Sequence, residues 1–168
     1  TGTTGTLTVG NTGTAISTTF SGGVTGTNNL TINSGATTGT ITFSTSSVNN
    51  TGTVTNSGSG SGTTTISAQI GSNVSGITEN SGTSALTISG ALNVKSTGTT
   101  LTNSNSSGTA LLTVSGGVTG TGNLVLNNNS SIASGITLSG SSVNNAGTVT
   151  NSGSGSGSTL ISGGVGSN

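Results

Sequence analysis

Only two of the 168 residues are charged, Glu79 and Lys95, and the chain has no His, Cys, Asp, Tyr, Trp, Met or Pro. General acid–base catalysis needs a titratable pair or a histidine at one place. Glu79 stands beside Asn80 at a recurring turn, where an exposed corner position is expected. Lys95 lies six residues before Leu101 in a connecting stretch and reads as solvated, and nothing in the spacing pairs it with Glu79. The run 58–62 (GSGSG) alternates Gly and Ser somewhat as a hydrolase nucleophile elbow does. A serine nucleophile there would need a His and an acid partner, and no strand-to-helix context makes the same glycines a phosphate loop. Metal sites want His or Cys for zinc and clustered acidic oxygens for calcium. Asn29, Asn49, Asn73, Asn105, Asn128 and Asn129 begin formal Asn-x-Ser/Thr sequons, which read as accidental in so Asn- and Thr-rich a chain. The expectation is a protein without catalytic, cofactor-binding or metal-binding residues.

Composition narrows the class further. The chain has zero net charge, 26% apolar residues, 1% charged residues and 32 glycines, with a mean hydropathy of +0.07. Soluble domains normally carry about a quarter charged residues. Without a basic patch or aromatic platforms no nucleic-acid partner is expected, and no run approaches the ~18 apolar residues of a membrane span. Absent cysteines exclude disulfides and thiol chemistry. The chain opens TGTTGT without Met, which suggests a mature product or a segment of a longer chain. Such a composition fits either disorder or an architecture that needs very little core per residue, and periodicity must decide between them.

The periodicity is strong. GVTGTNNL at 23–30 returns as GVTGTGNL at 117–124, an offset of 94, and SSVNNTGTVTNSGSGSG at 46–62 returns as SSVNNAGTVTNSGSGSG at 141–157, an offset of 95. Residues 1–73 therefore match 95–168, with 74–94 between the copies. Inside this long repeat runs a shorter one. Extended triplets centred on Leu7, Leu30, Val54, Ile77, Leu101, Leu124 and Val149 recur in steps of 23 to 25 residues, each followed by an asparagine: Asn11, Asn33, Asn56, Asn80, Asn103, Asn127 and Asn151. Two residues after each asparagine stands Gly13, Gly35, Gly58, Gly82 or Gly153, or in two coils Asn105 and Asn129. Gly replaced only by Asn predicts a corner with positive φ. Two more apolar series complete the unit, Ile16, Ile41, Ile66, Leu86, Leu111, Ile136 and Ile161, then Val24, Val48, Ile70, Val94, Val118, Val143 and Val165.

Three short β-branched, Thr-rich segments per ~24 residues predict an all-β fold: a right-handed, triangular parallel β-helix (β-solenoid) of about seven coils, forming one segment over residues 1–168. Each coil pairs its backbone with its neighbours, so only a thin inward stripe has to be apolar. The asparagine series is expected to form an inward ladder, amide stacked on amide. By the two-residue period, Thr6/Thr8, Thr53/Thr55, Thr100/Thr102 and Thr148/Thr150 face outward in pairs that alternate coils interrupt.

SALTISGALN (84–93), LLTVSGGVTGTGNLVLNN (111–128) and SSVNNTGTVTNSGSGSGTTTIS (46–67) resemble the autotransporter-associated β-strand repeats of bacterial autotransporter passengers and giant secreted β-solenoid proteins. The resemblance covers nearly the whole chain. It implies a cell-surface or secreted protein of structural type, a fibre or surface-layer component whose partner is itself, stacked end to end or continued in a longer solenoid. Two alternatives are an adhesin passenger that binds glycans or surfaces, and an ice-binding β-helix that uses the outward Thr pairs. Stability is expected to vary little with pH or salt, since only two side chains titrate.

Overall fold

The computed structural model describes residues 2–168. All regular structure in it is β, and every strand pairing is parallel. One face is a seven-stranded sheet of Leu7–Asn11, Leu30–Ser34, Gly52–Asn56, Val74–Glu79, Thr99–Asn103, Leu124–Asn128 and Val149–Asn151, in that spatial order. These strands number the coils one to seven. A second face repeats the order with Thr18–Phe20, Ile41–Phe43, Thr64–Ile66, Leu86–Ile88, Leu112–Val114, Ile136–Leu138 and Thr159–Ile161. The third ladder is thinner. It contains the short pairs Gly2–Thr4 with Thr25–Thr27 and Leu92–Val94 with Val118–Gly120, joined by single bridges such as Val24 to Val48 and Val143 to Val165. The chain is thus a parallel β-solenoid with a spacing near 24 residues, as its repeat predicts.

The sequence builds this fold because its alternation is strict where strands form. Ile41–Phe43, Leu86–Ile88, Leu112–Val114 and Ile136–Leu138 each bury their outer residues and leave a central Thr partly exposed. The inward residues meet those of the coils above and below in one continuous core, in which Phe20 and Phe43 stack with ring centroids 5.0 Å apart. The serine after each second-face strand extends the ladder: the Ser44, Ser67, Ser89, Ser115, Ser139 and Ser162 amides donate to carbonyls one coil below at 2.8–2.9 Å. Backbone donors are satisfied between coils rather than within them, which is how so polar a chain folds around so little apolar mass.

The columns differ from the expected series in detail. On the first face Leu7, Leu30, Val54, Ile77 and Leu101 are in register, but the next two partners are Leu126 and Asn151; Leu124 and Val149 lie in the column of Thr99. The slide coincides with two inward differences between the copies: Val9 and Ser34 of the first stand as Asn103 and Asn128 in the second, and a two-residue shift sets Asn128 over Asn103 where the first copy's register would set Leu126. On the second face two inward columns exist, so Ile41, Leu86 and Ile136 belong to one, Ile66 and Ile161 to the other, Leu112 replaces Leu111, and Ile16 lies 57% exposed outside both. The third series holds, with Leu92 in place of Val94.

The glycine corner also needs correction. Of the five turn glycines only Gly13 has a positive φ, +96°. Gly58 and Gly153 are required for room: a Cβ on Gly58 would stand 2.3 Å from the Ser34 carbonyl oxygen, and one on Gly153 2.2 Å from that of Asn128. Gly35 is crowded too, at 2.8 Å from the Asn11 oxygen, while the nearest atoms to a Cβ on Gly82 are 4.0 Å away. Gly58→Ala should therefore lower unfolding stability by about 1–3 kcal/mol, with Asn no better tolerated than Val. Gly82→Ala should be close to neutral. Denaturant melts of the two variants check this, and equal losses would refute the packing argument.

Candidate functional site

The distinctive chemistry of the chain lies inside it. At the end of each first-face strand the backbone turns toward the second face, and an inward polar side chain ties the two together. Asn103 shows the pattern. Its Nδ2 donates to the Ala110 carbonyl at 3.1 Å and to the Gly135 carbonyl at 2.7 Å, and its Oδ1 accepts the Asn105 amide at 3.1 Å. Asn128 repeats it one coil on, donating to the Ser158 carbonyl at 2.8 Å and accepting the Ser130 amide at 3.2 Å. Asn56 donates to the Ser84 carbonyl and accepts the Thr64 hydroxyl at 3.2 Å. Each amide replaces solvent for backbone groups that the turn would otherwise strand, the condition for burying them.

The expected asparagine ladder is realised only in part. Asn56 and Asn103 lie in one buried column, and Asn11 is buried two positions farther along its coil, where it donates to the Ile16 carbonyl at 2.7 Å and accepts the Gly35 and Ala36 amides. Asn33 and Asn80 point outward, and their neighbours Ser34 and Glu79 are the buried ones. Asn127 is half-buried on the outer side and yields its place to Asn128, and Asn151 is exposed in the last coil. The reason is parity: a turn residue one position off the strand's alternation swaps inside for outside. Nor is the column mainly amide on amide, because most of its side chains bond backbone carbonyls.

Glu79 is the chief surprise. It is fully buried in coil four, in register with Asn56 below and Asn103 above. Its Oε2 accepts from Asn56 Nδ2 at 2.9 Å and its Oε1 accepts the Ser81 amide at 2.6 Å, the same bond to the second residue on that Asn103 and Asn128 make. Glu79 thus takes the asparagine's place in its coil. Burial pushes its carboxyl up to about 8, outweighing the hydrogen bonds from Asn56, Ser81 and Leu86 that pull it down. At neutral pH it is largely uncharged. Lys95, by contrast, lies at the surface between Val94 and Thr99, its Nζ 3.4 Å from the Asn73 carbonyl oxygen.

A second polar corner lies between the third ladder and the first face. Asn50 and Asn145, fully or nearly buried, donate to the Asn28 and Gly122 carbonyls one coil below at 2.7 and 2.9 Å. The signal was present in the sequence: both copies read SSVNN, and two residues beyond the inward Val48 or Val143 the period returns inward. Outward asparagines staple the coils from the other side. Asn29, Asn49, Asn123 and Asn129 accept the amides of Thr53, Asn73, Thr148 and Ser154, each at 3.0 Å.

The outward hydroxyls are more regular than expected. Thr8, Thr31, Thr55, Thr78 and Thr102 form one in-register row on the first face, unbroken until Asn127, while the neighbouring row reads Thr53, Gly76, Thr100, Val125, Thr150. Thr148 falls before its strand. The second face carries a longer row, Thr19, Thr42, Thr65, Thr87, Thr113 and Thr137, ending at Leu160.

Compared with protein-family models, with curated proteins and with solved structures, the chain matches none.

Removing an inward tie should cost far more than removing an outward asparagine of the same sequence series. Asn103→Ala leaves the Ala110 and Gly135 carbonyls without that donor and should destabilise by about 1–3 kcal/mol. Asn33→Ala should change stability by less than about 0.5 kcal/mol. Paired unfolding curves measure both, and a larger loss at Asn33 would contradict the assignment.

Proposed function

We propose that the protein is a structural component of an extracellular fibre or surface layer, built from stacked β-solenoid coils. The observation that carries this reading is the ladder itself. Each step adds one coil to two parallel sheets, and the outermost strands, Leu7–Asn11 and Val149–Asn151, pair on one side only. Unpaired parallel edges are templates for another strand. Apolar side chains lie beside them: Val149 is 37% and Val165 71% exposed in the last coil, and the half-buried Leu7, Val9 and Phe20, with the buried Val24 and Phe43, line a hollow of about 360 Å³ at the first. Zero net charge removes the repulsion that keeps units apart. The motif resemblance to autotransporter-associated repeats points the same way, and with it to the cell surface or exterior. In this reading the partner is the same solenoid, stacked end to end or continued in a longer chain.

The purified chain should form filaments under the electron microscope, with a repeat of about 4.7–4.9 Å along the axis in fibre diffraction. Val165→Lys, which places a charge on the open end of coil seven, should shorten or abolish them while leaving the circular dichroism unchanged. A chain that sediments as a monomer at every concentration, with no filaments in the parent material, would refute the proposal.

A second reading is favoured by the threonine rows. Hydroxyls in register at the coil spacing on uncharged strands suit an ordered, neutral surface, ice or a glycan lattice. Thermal hysteresis in the purified protein, abolished by Thr65→Lys with Thr87→Lys, would support ice binding; glycan-array binding would support the adhesin alternative. Neither signal would leave the rows as outward-facing strand residues alone.

A further inference from the structure

Coil four is the middle of the seven, and it holds the chain's only acidic side chain. That carboxyl has no exposed surface and sits in a column that is otherwise neutral, between Asn56 and Asn103. Its hydrogen-bond donors are the Asn56 side-chain amide and backbone amides, all uncharged. The strands packed against it, Gly52–Asn56 and Thr99–Asn103 on its own face and Thr64–Ile66 and Leu86–Ile88 on the second, carry no ionisable side chain. Lys95, the one basic side chain, is at the surface on the Asn73 carbonyl. A carboxylate created here would therefore be buried without a counter-charge, the arrangement that proteins avoid most strongly.

We propose that Glu79 makes coil four a pH-operated joint: uncharged, its carboxyl holds coils three, four and five in one ladder, and ionised, it parts the solenoid there. Two features localise the effect. The rest of the interior is amide and hydroxyl, which do not titrate, and the other inward ties of this corner, Asn56, Asn103 and Asn128, are neutral at every pH. The device belongs to the coil rather than to any assembly, so it stands whether or not the chain builds fibres.

The direction follows from linkage. An exposed glutamate ionises near 4.5, and in the fold this one is raised to about 8. The folded state therefore keeps a proton that the unfolded chain releases. The associated stability is fully present below about 4.5, declines as pH rises, and is lost once pH passes about 8.

Hydrogen exchange followed by mass spectrometry on the full chain between pH 4 and 9.5, corrected for the intrinsic pH dependence of exchange, tests the joint. Opening of the amides in Val74–Glu79 and Thr99–Asn103 should increase on the order of 100-fold or more across that range, and those of coils one and two much less. Glu79→Gln, which keeps the shape and removes the titration, should flatten the profile. Should that variant fail to fold, Glu79→Asn supplies the residue that the same column holds at 56 and 103, and should flatten it likewise. A wild-type profile independent of pH, a neutral variant with the wild-type slope, or loss of protection spread evenly over all coils would each overturn the proposal.

Discussion

The structure depends on one constraint: each coil must meet the next along parallel ladders that keep inward side chains stacked on inward side chains. Backbone hydrogen bonds between parallel strands are the same at every step and form equally well two residues out of place. They supply cohesion and specify nothing. Register is set by what lies inward. At coil six the duplicated sequence argues for one alignment, and the strands take another that sets Asn128 over Asn103.

The same constraint explains why the interior is so polar without being weak. A solenoid corner turns the chain sharply and leaves carbonyls pointing inward, away from water. Asn56, Asn103 and Asn128 supply donors there and Ser34 supplies a hydroxyl to the Gly62 carbonyl at 2.9 Å, so the inner polarity answers the backbone instead of competing with it. At Gly58 even a methyl group would collide with the coil below, so at that position crowding rather than backbone handedness selects glycine.

Much of the architecture was legible in the sequence because it is periodic. The all-β class, the coil length, three segments per coil and the third apolar series follow from counting. What the repeat count passed over is parity. Asn33 and Asn56 occupy equivalent places in the written repeat, yet one faces solvent and the other the core, because Asn33 stands three residues after the inward Leu30 and Asn56 two after the inward Val54. The same ambiguity hid Glu79: a charged residue beside a turn asparagine suggests the surface, and only the register with Asn56 and Asn103 places it inside. It also bears on the expectation that stability ignores pH, since a buried carboxyl couples folding to protons.

The near-identity of residues 46–62 and 141–157 bears on how such a chain changes length. Both segments pass through the same corner and lead into a first-face strand reading Val-Thr-Asn, in coil three and coil seven respectively. Unequal recombination between the two stretches would excise or duplicate 95 residues, a block of four coils, and join strands of the same sequence at the seam. No new interface would have to be invented, because the incoming coil presents the same inward Val and Asn as the one it replaces. Chain length is thus free to drift in quanta of four coils, and each added block built on residues 51–145 would bring its own copy of Glu79.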